Sequence, residues 1–361
     1  MHPVSYKNQR VELIQKFQSG KTPQKKRNVL LEAGFKRWQL DAMEEYRKAT
    51  HRQPNKTFSI TKGFADCWMP YSVIATDRKE LVLYFSAKGE GLLGKGKSGR
   101  VVRGLVIGSS DPERIGVQVA VKKLETKPDT EAKILSVRRE LHTKEIYTRE
   151  NPKTGKVRHI LIQDFVEGAS LVNRYSLPWE KMGPTAEKAE LARAIMKDLQ
   201  ALHGDRVIHR DLWGDNILTY KNRAKIIDYG RSVLLERGES IKEDIGSVQS
   251  QYCSPEALKN EWSFASDVYA MAVTLFHLFP HELQAWRKTD DGKQAYDRFL
   301  NSCDARERIK ILQNSLRPYL DNQGKAIADI LVGMLQPEKN KRSSVEKVIG
   351  QFDDFLKKTN S

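Results

Sequence analysis

The sequence predicts an α+β protein of two lobes, a small antiparallel β-sheet lobe followed by a large helical lobe, with a helical N-terminal extension. Three observations carry that expectation. From about Thr57 to Phe165 apolar and polar residues alternate in short runs, among them Phe58–Ile60, Tyr71–Ala75 and Val117–Lys123, as strands require. After Pro184 the period changes, and Leu191, Ile195, Leu199 and Leu202 recur at helical spacing. The segment SDVYAMAVTLFHLF, Ser266 to Phe279, is apolar on nearly all faces, which marks a helix buried inside a helical lobe. Strands first and helices later leave a cleft where the two lobes meet.

Composition narrows the class. The chain has 361 residues, 39% hydrophobic and 30% charged, as expected of a soluble globular protein. No apolar run approaches the ~20 residues that span a bilayer, and the first residues lack the apolar core of a secretory signal. Three scattered cysteines, Cys67, Cys253 and Cys303, indicate a reducing, cytoplasmic compartment without a disulfide framework. The net charge is +16, and residues 1–60 hold thirteen Lys/Arg against five Asp/Glu, so half of the excess sits there. Two readings of that arm stand side by side. One is a solvated helical extension; the other is a surface for an anionic partner, an acidic protein, nucleic acid or acidic lipid.

Residues 1–57 read as short helices, with Val11, Leu13, Ile14 and Phe17 spaced for one face and a second segment from Val29 to Tyr46. Residues 58–84 read as a strand-rich lead-in, either extra strands or a linker, and residues 85–358 as the main domain. Gly94, Gly96 and Gly99 form GxGxxG. Strand residues Val101, Val102, Leu105, Val106 and Ile107 follow, so the glycines read as a hairpin rather than the opening of a helix. Such a hairpin can present backbone N–H groups to phosphates, because glycine offers no Cβ to block the approach. Lys95, Lys97 and Arg100 add positive charge to it. Lys122 ends the strand VQVAVKK, where its ammonium could reach phosphates; such a lysine needs a helix carboxylate to fix it. A helix expected over Glu131–Tyr147 offers Glu145 and Glu140, and the distance to the next strand favours Glu145.

The stretch HRDLWGDNILTYKNRAKIIDYG, His209 to Gly230, holds Asp211, Asn216 and Asp228 at fixed spacing. Ile217–Leu218 and Ile226–Ile227 flank the turn Tyr220–Lys221–Asn222, the pattern of a hairpin. That hairpin would bring Asn216 and Asp228 to one end, where an amide oxygen and a carboxylate suit a hard cation such as Mg²⁺. Asp211, one loop away, is free to face a hydroxyl.

The glycine hairpin, Lys122, HRDxxxxN at His209–Asn216, DYG at Asp228–Gly230, Ser254–Pro255–Glu256, Asp267 and Arg342 occur in one order that resembles the eukaryotic-type protein kinase superfamily over roughly residues 85–355. The resemblance implies the kinase fold, with the N-lobe ending near residue 166 and the C-lobe starting near 167. It implies ATP and Mg²⁺ as cofactors and protein Ser/Thr hydroxyls as acceptors. Asp211 would be the catalytic base, Asn216 and Asp228 the metal ligands, and Lys122 with its helix glutamate the phosphate clamp. Gly94, Lys95, Gly96 and Gly99 would cover the nucleotide. Val101, Ala120 and Leu218 would sandwich its adenine, and Asp164 and Val166 would meet the ring edge through backbone groups. Arg210 would be available to a phosphate on Ser240, Ser247 or Ser250. Asp267 would brace the catalytic loop, and Glu256 and Arg342 would form a buried pair.

Some positions depart from the family pattern. Trp213 stands where Ser/Thr kinases usually carry Lys, and Asp215 stands where Tyr kinases usually carry Arg. Gln249 replaces a frequent Thr, while Tyr252 is the Ser/Thr type. WGDN at Trp213–Asn216 also resembles small-molecule phosphotransferases of the same fold, and a Tyr or dual-specificity kinase is a further alternative. The extension is compatible with a bacterial kinase delivered into a host cytoplasm.

Overall fold

The alternation that begins at residue 58 folds into one antiparallel sheet. The computed structural model describes residues 23–32, 37, 40 and 58–360, apart from 61–70, 77, 79, 86–91, 97–98, 110, 115, 144–145, 151–153, 176–184, 236, 239, 280–285 and 287. The chain divides into two compact units, Met1–Phe165 and Val166–Ser361.

In the first unit helix α1 spans Pro23–Glu32. The expected helical face at Val11–Phe17 and most of Val29–Tyr46 lie outside the described residues. The strands are β1 Phe58–Ile60, β2 Tyr71–Ala75, β3 Leu81–Phe85, β4 Leu92–Lys95, β5 Gly99–Gly108, β6 Gln118–Leu124, β7 Tyr147–Glu150 and β8 Val157–Asp164. Their order is β1-β2-β3-β5-β6-β8-β7, with β4 paired to β5. The lead-in strands β1 to β3 thus extend the same sheet. Ile74, Val82, Tyr84, Val102, Val106, Val119, Val121, Ile160 and Ile162 form its buried core. Val102 and Val106 of β5, Val119 and Val121 of β6, and Ile160 and Ile162 of β8 are each an even number of residues apart, as one face of a strand with a two-residue period requires.

Helix α2 spans Asp129–Val137, not the full Glu131–Tyr147 expected from sequence. Arg139, with φ 58°, turns the chain out of the helix. Residues 140–143 then run beside β8: the His142 N–H donates to Ile162 O at 3.1 Å and the Asp164 N–H to Glu140 O at 2.9 Å.

The second unit is helical around small sheets. After β9 Ala169–Ser170 and α3 Leu171–Tyr175 comes the long α4, Thr185–Gly204. Its Leu191, Ile195, Leu199 and Leu202 are all buried, as their spacing predicted. Strands β10 Val207–Ile208, β11 Ile217–Tyr220, β12 Arg223–Ile226, β13 Val233–Leu234, β14 Ser240–Lys242 and β15 Glu261–Ser263 follow. Helix α5, Phe264–Phe276, starts on a capping box in which Ser263 and Ser266 satisfy each other's N–H groups, and it is buried from Ser266 to Phe276. Helices α6 Asp290–Asn301, α7 Ala305–Lys310, α8 Asn322–Met334 and α9 Val345–Asn360 complete the unit. Among the described residues no helix is long and apolar enough to cross a membrane.

Candidate active site

In the first unit the register of β5, β6 and β8 sorts the candidate residues by face. Val101 stands opposite Lys122, and Ala120 lies between Arg103 and Gln163. Opposed residues share a face, so Val101, Ala120 and Lys122 lie on the face away from the valine–isoleucine core. Lys122 is buried, and its Nζ donates to Glu131 Oε1 at 2.7 Å. Glu131 is thus a carboxylate partner of Lys122 beyond the two expected from sequence. Glu131 lies in the first turn of α2 and is buried with the lysine. Glu140, past the helix end, instead accepts from Arg138 Nε at 2.7 Å; Glu145 lies outside the described residues. The helix ends at Val137, so it is its first turn that meets Lys122.

The glycines play different parts. A Cβ on Gly99 would sit 2.0 Å from Lys123 O, so this position needs glycine for the close pairing of β5 with β6. A Cβ on Gly94 or Gly96 would meet nothing within 4 Å. Those two leave the hairpin open to a ligand, and the Gly96 N–H to Gly99 O bond at 3.0 Å closes its turn. Lys95 is exposed. Asp164 ends β8 with its side chain 55% exposed, and Val166 is half-buried.

In the second unit the hairpin forms as its sequence predicts. Ile217 pairs with Ile226, and the Ile227 N–H donates to Asn216 O at 2.9 Å, which sets Asn216 beside the chain that leads into Asp228. Asn216 Nδ2 donates to Asp211 O at 2.8 Å and to Asp211 Oδ2 at 3.1 Å. Both donations orient the amide and leave its Oδ1 to accept or to ligate. Asp228 is exposed and has φ 65°, and Arg210 has φ 66°. Left-handed backbone at a non-glycine residue costs about 1–3 kcal/mol and tends to collect where function demands it. Leu218 is half-buried on β11.

The catalytic-loop backbone is fixed from below. Asp267 accepts the N–H of His209 at 2.7 Å and of Arg210 at 3.0 Å. The His209 ring packs edge-on to Tyr229; its Nε2 faces Ile227 O at 3.1 Å, and its Nδ1 lies 3.3 Å from the Asp211 N–H. A ring protonated on Nε2 alone satisfies both contacts, so His209 is a structural link of the loop. Burial raises the Asp211 carboxyl above the usual aspartate range, and the charge of Asp228 adds to this; His209, Arg231 and the Asn216 hydrogen bond oppose it. The result is a better proton acceptor than a solvated aspartate.

Arg210 departs from expectation. Its Nη1 donates to Glu243 Oε2 at 2.6 Å, and its Nε donates to Arg231 O at 2.6 Å. Glu243 is held in turn: its N–H donates to Asn260 O at 2.9 Å, and its carbonyl accepts from Trp262 Nε1 at 3.0 Å. A resident carboxylate thus occupies the guanidinium that the sequence left for a phosphate. Accordingly, phosphatase-treated protein should retain its activity, and Glu243→Gln should lower kcat roughly twofold to fivefold, the range of a half-exposed ion pair. Steady-state assays on both preparations check this.

Glu256 and Arg342 pair as expected, with Nη1 to Oε1 at 2.7 Å and Nη2 to Oε2 at 3.2 Å. The Arg342 side chain is 0% exposed.

Comparison with known proteins identifies the constellation. A family model of the protein kinase domain matches residues 88–352. Calcium-dependent protein kinase 19 of Arabidopsis thaliana is 34% identical over 139 residues, 37% of this chain and 24% of that protein. Calcium-dependent protein kinase 20 of Oryza sativa subsp. japonica is 27% identical over 245 residues, 64% of this chain and 40% of that protein. Calcium-dependent protein kinase 32 of Arabidopsis thaliana is 28% identical over 243 residues, 63% of this chain and 41% of that protein. The chain thus spans well under half the length of these relatives. With a protein kinase domain matched over most of its residues, the chain belongs to the protein kinase family.

Proposed function

We propose that this chain is an ATP-dependent protein kinase that transfers the γ-phosphoryl group of Mg-ATP to Ser or Thr hydroxyls of protein substrates. The observation that carries the reading is the grouping of Asp211, Asn216 and Asp228 about one loop and one hairpin end, with Asn216 bonded to Asp211 twice. Asp211 orients the substrate hydroxyl and accepts its proton. Asn216 and Asp228 are an amide oxygen and a carboxylate, a donor pair that suits Mg²⁺. Bound Mg-ATP supplies the transferable phosphoryl group and neutralises the charge that develops on it. Lys122, steadied by Glu131, offers an ammonium to the α- and β-phosphates. Gly94, Lys95, Gly96 and Gly99 serve as the flap over them. Val101, Ala120 and Leu218 serve as apolar walls for adenine, with Asp164 and Val166 at its edge.

A protein substrate, rather than a small molecule, is supported by the Glu256–Arg342 pair, which anchors the segment on which a peptide would lie. Trp213, Gln249, Tyr252 and Ser254 line a small recess beside Asp211, which sets residues of that segment next to the proposed base. We read residues 85–358 as the kinase domain, 58–84 as its added strands and 1–57 as a basic extension for an anionic partner, and we place the protein in the cytoplasm. The test is transfer of labelled γ-phosphate to a peptide library containing Ser, Thr and Tyr acceptors. Label on Ser or Thr is expected; label confined to Tyr, or found only on small-molecule alcohols, contradicts the reading.

A further inference from the structure

Glu80 lies ahead of residue 88, where the match to the kinase family begins, yet its carboxylate is deeply buried, with its side chain 3% exposed. A tight turn places it. The Thr76 N–H donates to Glu80 O at 2.8 Å, and the Glu80 N–H donates to Thr76 Oγ1 at 3.2 Å. Sheet register decides where that turn falls. Leu81 stands opposite Gly108, Leu105 opposite Gln118, and Val119 opposite Asp164. The turn before β3, the loop between β5 and β6, and the last residue of β8 therefore share one end of the sheet.

A charged cluster fills that end. Glu80 Oε1 accepts from Arg114 Nε at 2.8 Å, and Glu80 Oε2 faces His142 Nε2 at 2.7 Å. The other ring nitrogen, His142 Nδ1, faces Asp164 Oδ1 at 3.2 Å. Arg114 Nη2 lies 3.1 and 3.2 Å from the two ring nitrogens. The His142 side chain is 0% exposed. Its backbone is bonded to β8 through Ile162 O, which sets the buried ring between the two carboxylates. Buried polar networks of this kind hold geometry only when every member is present, because a missing partner leaves the others uncompensated.

We propose that Glu80 is a positioning residue for nucleotide binding: acting through His142 it fixes Asp164 and the end of β8, so that the strands ahead of the kinase domain set nucleotide affinity. The inference deepens the kinase reading and rests on Asp164 meeting the adenine edge. Losing the Glu80 carboxylate leaves Arg114 and His142 to draw on Asp164 alone, which pulls the end of β8 out of place.

The experiment is calorimetric binding of Mg-ADP to the full chain, with Glu80→Gln, Glu80→Asp, Asp164→Asn and the double variant Glu80→Gln/Asp164→Asn beside wild type. Glu80→Gln should raise the Kd for ADP and the KM for ATP roughly tenfold, with kcat at saturating ATP within about twofold of wild type. Glu80→Asp should recover part of the loss. The double variant should bind no more weakly than Glu80→Gln, since both changes break one chain of contacts. A lowered Tm for Glu80→Gln with unchanged Kd overturns the proposal and leaves Glu80 a purely structural role. Should Glu80→Gln give no cooperative melt, Asp164→Asn, whose side chain is largely exposed, decides: unchanged Kd overturns the proposal and weakened binding supports it. Wild type that binds no ADP overturns the kinase reading as well, whereas wild type that binds with all variants unchanged overturns this inference alone.

Discussion

Asp211→Ala is expected to slow phosphoryl transfer about 10³-fold, the scale of a positioned general base, or about 4 kcal/mol of transition-state stabilisation. The loop around it should survive the change. Asp267 holds the His209 and Arg210 N–H groups, and Asn216 Nδ2 keeps its 2.8 Å bond to the Asp211 carbonyl, which the substitution does not touch. Removal also relieves the desolvation that raises the carboxyl's proton affinity, so stability should stay near wild type. A kcat that falls with an unchanged Tm and an unchanged Kd for ADP is the expected pattern. A Tm drop that accounts for the lost activity contradicts it.

The second large effect is on stability. Glu256→Ala leaves the Arg342 guanidinium, whose side chain is 0% exposed, without its carboxylate. Breaking one side of a buried pair costs about 3–5 kcal/mol, which for a unit of this size lowers Tm by about 10 °C. Partial compensation exists, because Arg342 also donates to the carbonyls of Gln336 and Ala265 and lies 5.2 Å from the Tyr269 ring centroid. The penalty should therefore lie toward the lower end of that range. The pH dependence follows from the carboxyl. Burial raises its proton affinity, but the hydrogen bond and charge of Arg342 outweigh this and hold Glu256 below the usual glutamate range. A depressed folded-state pKa contributes stability that is present above the unfolded value, near pH 4, and lost as pH falls through the folded one. Thermal melts of wild type and Glu256→Ala should differ most at neutral pH and converge in acid.

Local pattern made the fold class legible. Val119 and Val121 alternate with Ala120 and Lys122 as a strand must, and α4 buries the four leucine and isoleucine positions that its spacing marked. The hairpin that carries Asn216 and Asp228 was equally plain, because turn residues stand between two apolar pairs. What local pattern missed depends on backbone that a composition signal does not mark. Nothing about Arg139 announces a left-handed residue, so the sequence marks neither the end of α2 at Val137 nor the bond of Lys122 to Glu131 in its first turn. Glu243 was overlooked because its partner lies 33 residues away and the two meet only after β14 pairs with β15. Glu80 and His142 are 62 residues apart, and only the sheet register shows that they share an end. The lead-in strands, left open between sheet and linker, were decided by pairing: β3 runs antiparallel to β5.

The most direct measurement on the central claim is γ-phosphate transfer from labelled ATP to a Ser/Thr peptide library by the full chain, with Mg²⁺ present and after chelation. If Asp211, Asn216 and Asp228 form the centre described, wild type transfers label only with Mg²⁺, and Asp211→Ala loses about 10³-fold under the same conditions. Transfer that is indifferent to chelation, or equal in wild type and Asp211→Ala, contradicts the account.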